Sequence, residues 1–424
     1  MKYMSERMFF VSILSKAKAM ASSRGFKQTL AVSGSNIFVM GLGFVINILL
    51  AREMGVEDFG IFSFAFAVFS FVALFMEFGF YSTAAKILAD TNDSVTERKL
   101  LGGIFVTYII INTIFAIFMY VVGIYIDDFF PDKIGYIVRM MAFSGYAYTA
   151  PFFMEWVLKG CNKIYLLSQY SSIGKLLYFT EIIVLWYVEL LAPITVLYSY
   201  AFAYGIAILW CYMRLRPIFV IKRELISFIY ESNKLYGFPQ YIGRIVDVGS
   251  ANIDRMLISY FVNASTLGLY SLAVSFVSVV TVLGKSIGIT KFKAFANEKN
   301  ISITVLNYTK IGTIISACVV LMVSYISIYY VLNIDYHDTF IYVLLLILGA
   351  MAQSIYRIYI DWISGHGFSQ DLRNAALSIS IVNIIAVFSL TGLMGIYGTC
   401  IAVTVGYAFS LYKYIKIYRF YSEG

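Results

Sequence analysis

From Thr29 onward the chain is a succession of apolar stretches near membrane-crossing length, divided by short polar breaks. A helix of about 20 apolar residues spans the hydrocarbon core of a bilayer, and inside it only helices and closed barrels satisfy their own backbone. The spacing predicts twelve spans, at residues 29–50, 60–83, 100–123, 135–158, 166–188, 193–213, 236–260, 267–290, 306–332, 338–363, 372–390 and 395–418. The expected fold is therefore an all-α polytopic inner-membrane protein. Composition agrees, with 13% charged residues where a soluble chain carries roughly a quarter.

One stretch occurs twice. LAREMGVEDFGIFSFAFA, Leu50 to Ala67, returns as IDRMLISYFVNASTLGLYSLA, Ile253 to Ala273; aligning Gly60 with Gly268 gives an offset of 208. Glu155-Trp156 matches Asp361-Trp362 at a nearly equal offset of 206, each pair followed by a short polar turn with glycine. Two matches at one spacing divide the chain into related halves. Half-chain repeats in apolar proteins are how rocking transporters are commonly built, with the substrate site between the halves.

Loop charges test the span count. With the N-terminal segment in the cytoplasm, the external loops hold only Arg52 and Lys133, and the other loop cations fall inside. That is the asymmetry expected of an even number of spans with both termini cytoplasmic. The net charge of +8 is then a matter of orientation, and nucleic-acid binding is not needed to explain it. The domains read as a basic arm (1–28), an N-lobe (29–213), a basic linker (214–235) rich in Arg214, Arg216, Lys222, Arg223 and Lys234, and a C-lobe (236–424). A signal peptide is the alternative for the arm, but its apolar patch, Met8 to Leu14, is short for one. The linker is the natural hinge, or equally a loop gripping anionic headgroups.

Enzyme chemistry finds no foothold. Cys161, Cys211, Cys318 and Cys400 stand singly in apolar runs, and His337 and His366 are isolated beside loops. No metal-ligand spacing, phosphate loop, dinucleotide fingerprint or nucleophile elbow is present, so no cofactor is expected.

LAREMGVEDFGIFSFAFA after the first span, FGFYSTAAK closing the second and IDRMLISYFVNASTLGLYSLA at the seventh resemble the polysaccharide-transporter family. These are the Wzx-type O-antigen and capsule repeat-unit flippases of the multidrug/oligosaccharidyl-lipid/polysaccharide exporter superfamily. The resemblance covers nearly the whole chain. It implies two pseudo-symmetric six-helix lobes around a cationic central cavity. It also implies a substrate, an undecaprenyl-pyrophosphate-linked oligosaccharide moved from the cytoplasmic to the periplasmic leaflet for lipopolysaccharide or capsule synthesis. Membrane lipid, an O-antigen polymerase and a chain-length regulator are the implied partners. Drug exporters of the same superfamily often carry an acid in the first span, but Thr29 to Leu50 contains none. Lipid II flippases commonly have two further spans, for which this chain is short.

Charges inside the spans carry the site expectation, because each costs a few kcal/mol near the bilayer centre and is usually kept for a cavity or a partner. The seventh span holds Arg244, Asp247, Asp254 and Arg255; spacings of 3 and 7 put Arg244, Asp247 and Asp254 on one helical face. With Lys285 in the eighth span and Lys175 in the fifth, these cations are candidates to hold a pyrophosphate. Pairing of Arg244 with Asp247, and of Arg255 with a neighbouring acid, is the structural alternative. Asp254 and Arg255 lie nearer the outer end. Glu77, deep in the second span, and Asp247 are candidates for ion coupling. Arg357 and Asp361, four apart, are expected to pair with each other. Most of the 35 Tyr and 36 Phe read as lipid-facing or interfacial, with Tyr241 a candidate to meet sugar. Competing readings are an ion-coupled exporter of hydrophobic cations, whose site should be acidic and aromatic, and a non-transporting scaffold for glycan polymerases.

Overall fold

The computed structural model describes residues 24–91, 93–130, 134–219, 223–238, 241, 253–295 and 298–423. The described residues are almost wholly helical, with no strand among them. The helices are α1 (Arg24–Met76), α2 (Phe80–Ala89), α3 (Ser94–Phe129), α4 (Gly135–Met141), α5 (Tyr146–Gly160), α6 (Ile164–Tyr187) and α7 (Pro193–Leu215) in the first half. After them come α8 (Arg223–Ser232), α9 (Ile253–Phe261), α10 (Ala264–Phe295), α11 (Ile303–Ile326), α12 (Thr339–Gly365) and α13 (Ser369–Glu423). Seven helical stretches among the described residues are long and apolar enough to cross a membrane. Their outer faces expose Ile109, Ile117, Phe202, Leu209 and Met213, as a lipid-facing surface does and a soluble surface of that extent rarely does.

Local chemistry sets the breaks. α1 bends at Gly55 (φ 80°), between the expected first and second spans, and α13 bends at Gly395 (φ 58°), the first residue of the expected twelfth span. A side chain would strain both left-handed positions. The second expected span does not run unbroken to residue 83. It stops at Met76, passes Phe78 and Gly79, both at positive φ, and restarts as α2. Asp93 starts α3 by accepting the Thr96 hydroxyl and the N–H groups of Thr96 and Val95, and these bonds hold its carboxyl below the ordinary range. Pro193 opens α7, where its missing N–H costs nothing, and the Thr195 hydroxyl accepts the Ala192 N–H at 3.0 Å.

The basic linker is not the open loop expected. Residues 223–232 form α8, continued by a π-helical turn at Asn233–Gly237. Leu225, Ile229, Asn233 and Gly237 recur every fourth residue and turn inward. Leu225 and Ile229 close over Gly103, while Asn233 donates to the Phe78 carbonyl at 3.0 Å and accepts the Thr83 hydroxyl at 2.9 Å. Upstream, the Ile218 N–H donates to the Arg98 carbonyl at 2.8 Å and Arg98 Nε to the Arg216 carbonyl at 2.7 Å. The segment is fastened to α2 and α3.

Helices of the first half pack chiefly on one another, as do α9 to α13, and α1 with α10 forms the main seam between halves. At that seam the repeat becomes a contact. A Cβ on Gly60 would fall 1.9 Å from the Ala264 carbonyl oxygen, and one on Gly268 would fall 2.7 Å from the Val56 carbonyl oxygen. The offset of 208 converts Val56 to Ala264 and Gly60 to Gly268, so the crossing is reciprocal: each half offers the same two positions to the other. Glycine at 60 and at 268 lets the helix backbones approach closely where lipid supplies no hydrophobic drive between helices.

Apolar burial follows the same seam. One cluster joins Phe59, Phe64 and Phe69 of α1 to Tyr270, Phe276 and Val280 of α10. A smaller cluster gathers around Trp362, whose indole donates to the Glu298 carbonyl at 3.1 Å. Its neighbour Asp361 pairs with Arg357 at 3.4 Å, as the spacing predicts, and in the other copy of the dipeptide Glu155 pairs with Lys159 at 2.5 Å.

Candidate functional site

Beside the glycine crossing the halves part around a cavity of 220 Å³. Lys175 of α6 and Arg255 of α9 reach it from opposite halves; Asn47, Ser63, Ser271 and Ser275 supply amide and hydroxyl groups, and Tyr178 and Tyr200 supply ring faces. Its described lining contains two cations and no carboxylate. Asn47 of α1 donates to the Ser275 hydroxyl of α10 at 2.9 Å, bridging the halves at the wall. Lys175 Nζ stands 5.4 Å from the centre of the Tyr178 ring, one helical turn along. Gly43 makes room for it, since a Cβ there would come within 3.1 Å of Lys175 Cε. Donors of this kind around aromatic walls suit an anion that carries sugar.

Arg255 and Asp254, adjacent on α9, point apart by ~100° as helical neighbours must. Arg255 faces the cavity between halves. Asp254 accepts the Tyr270 hydroxyl and the Arg255 N–H and faces a second cavity, of 300 Å³, inside the C-terminal half. Gln353, Asn383, Tyr407 and Ser410 also line that space, and Asn383 Oδ1 is buried there with no hydrogen-bond partner among the described residues.

The structure therefore brings together two of the expected cations, Lys175 and Arg255. Lys285 is exposed on α10 and is not among the lining residues of the cavity. Arg244 and Asp247 lie outside the described residues. Glu77 is buried at the break between α1 and α2, away from the cavity lining. Tyr241 is buried, and its hydroxyl donates to the Phe75 carbonyl, so it fastens the halves instead of offering an open ring to sugar. Tyr178, Tyr200, Asn47 and Ser275 were not singled out from the sequence. The repeat held a signal for part of the set: the offset of 208 relates Asn47 to Arg255 and Ser63 to Ser271, and all four line the cavity.

Among solved structures the fold is similar to the lipid II flippase MurJ in an inward closed conformation (TM-score 0.72, 14% identity, covering 91% of this chain and 87% of that one). It is also similar to an inward-facing multidrug resistance MATE family transporter (TM-score 0.69, 11% identity, 91% and 94% covered). A third similar structure is the MATE multidrug transporter DinF-BH (TM-score 0.67, 12% identity, 92% and 94% covered). At such identities the likeness is one of fold. A search among curated protein sequences gives no match. The family model described as polysaccharide biosynthesis protein matches residues 26–289, more than half of the chain. With that match over a MurJ-like and MATE-like helical fold, the chain belongs to the polysaccharide biosynthesis protein family, a family of polysaccharide transporters and flippases.

Proposed function

We propose that the protein flips undecaprenyl-pyrophosphate-linked oligosaccharide repeat units from the cytoplasmic to the periplasmic leaflet of the inner membrane, for O-antigen or capsule assembly. The observation that carries this reading is the meeting of Lys175 and Arg255, from opposite halves, on one cavity whose described lining has no acid. The pyrophosphate takes the cations, and the glycan takes Tyr178, Tyr200 and the hydroxyl and amide groups. The layout in this reading is twelve spans in two six-helix lobes, with both termini cytoplasmic. Supporting it, the bends at Gly55 and Gly395 each divide one helical run into two arms, and the Gly60 and Gly268 crossing relates the halves reciprocally.

Transport follows from alternating access: the halves rock about their seam and expose the cavity to each leaflet in turn. With the cell interior negative, outward movement of an anion is downhill by about 2.3 kcal/mol per charge per 100 mV. Arg244 and Lys285 extend the cationic path in this reading. Glu77 and Asp247 are its candidates for proton or sodium coupling; transport indifferent to the collapse of both ion gradients would remove that role.

Proteoliposomes test the proposal. A fluorescent undecaprenyl-pyrophosphate oligosaccharide should change leaflets only where the protein is present, and Lys175→Ala or Arg255→Ala should each slow the initial rate about tenfold, one charge-assisted contact being worth about 1.4 kcal/mol or more. Efflux of a cationic dye with no movement of the glycolipid would overturn the proposal in favour of drug export.

A further inference from the structure

Two of the helices that wall the cationic cavity, α1 and α10, continue into an apolar groove. On α1, Asn47 lines the cavity, while Phe44, Gly41 and Ile37, three, six and ten residues earlier, line a groove of 640 Å³. On α10, Ser271 and Ser275 line the cavity, while Val279, Val282 and Leu283 line the groove. These spacings fall within an arc of ~120° on each helix, so the polar and apolar spaces adjoin along α1 and α10 over the ~15 Å from Asn47 to Ile37. Phe44 and Phe276, their rings edge to face at 5.1 Å, mark the passage from one to the other. α11 closes the far wall with Val319 and Val320; Ile37 and Val319 are exposed, so the groove opens on the outer surface.

We infer that this groove holds the polyisoprenyl tail of the cargo while its pyrophosphate sits at Lys175 and Arg255. The inference rests on the glycolipid reading of the cavity given above. A lipid with an anionic head and a long hydrocarbon tail needs both environments within one molecular length, and a tail bonded to a head in the cavity leaves along the helices that the two spaces share. The large apolar groove on the first half, lined by Tyr108, Ile117, Phe143 and Phe202, shares only α7 with the cationic cavity, whereas the groove at α1, α10 and α11 shares both α1 and α10 with it. The groove at α1, α10 and α11 is also built wide. Gly41 has no heavy atom within 4 Å of where its Cβ would stand, and Ser286 and Ser316 keep the other walls small.

The test uses the full-length protein in lipid nanodiscs, irradiated with undecaprenyl pyrophosphate that carries a diazirine in its tail, with adducts mapped by mass spectrometry. Expected are adducts within residues 37–44, 276–287 and 316–323, suppressed by excess unlabelled undecaprenyl pyrophosphate but not by the same excess of phosphatidylglycerol. Gly41→Leu and Ser316→Leu, separately, should cut these adducts at least about fivefold. Gly41→Leu enters open space and improves helix propensity, and an unchanged thermal midpoint will show that folding is intact. Adducts elsewhere, the Tyr108 groove included, or adducts unchanged in both variants, overturn the groove; the glycolipid reading then stands if binding of the probe is still lost in Arg255→Ala. Equal suppression by phosphatidylglycerol makes the groove an ordinary membrane-lipid site and overturns the inference too. Absence of any binding of the pyrophosphate lipid overturns both readings.

Discussion

In the glycolipid reading Lys175 is a single charge placed for use inside a membrane. Its stem passes the space left by Gly43 and its ammonium meets the Tyr178 ring at the cavity wall. Lys175→Arg keeps the charge and should retain most flipping, whereas Lys175→Met keeps the length alone and should lose about tenfold in rate, both read in the proteoliposome assay. Gly43→Leu should reproduce much of the Met defect by displacing the lysine, with little change in thermal midpoint. Lys175 and Arg255 were legible from the sequence because charge inside an apolar run is conspicuous. Tyr178 and Tyr200 were not, because 35 tyrosines spread through every span hide two that face a cavity.

Between helices, the crossing of α1 and α10 carries the strongest local constraint. At Gly60 a side chain meets backbone on the partner helix, and backbone cannot rotate away. Gly60→Val should therefore lower stability by about 1–3 kcal/mol, the usual cost of overpacking, seen as a reduced thermal midpoint of the purified protein. Gly34→Ala is the control: nothing lies within 4 Å of its Cβ position, and the change should be neutral or stabilising by up to about 1 kcal/mol. The repeat around Gly60 and Gly268 was visible in the sequence; that the two copies touch each other was not, because a repeat states equivalence and says nothing of contact. α8 escaped notice for a different reason. Its inward stripe, Leu225, Ile229, Asn233 and Gly237, is short, half polar and set among linker charges.

Across the whole molecule, the all-helical character of the long apolar segments follows from apolar length alone, since the bilayer leaves such a segment little choice but helix. The bends at Gly55 and Gly395 and the break at Glu77 to Gly79 depend on backbone conformation, which hydropathy does not report. Alternating access makes its own demand on the seam. With Cys161, Cys211, Cys318 and Cys400 replaced by alanine, a variant with a cysteine pair at Asn47 and Ser275, whose side chains now bond at 2.9 Å, should flip when reduced, at the lower rate left by the lost amide and hydroxyl, and stop when cross-linked. Flipping by the fully cross-linked protein would mean that the halves need not part. The most direct measurement of the central claim is complementation: a bacterium lacking its own repeat-unit flippase, supplied with the matching repeat unit, is given this protein and assayed for surface polysaccharide. Restoration by the wild type, lost in Lys175→Ala and in Arg255→Ala at equal membrane abundance, is the expected result. Full restoration by the double variant, or none by a well-expressed wild type, would contradict a cationic cavity that carries the glycolipid.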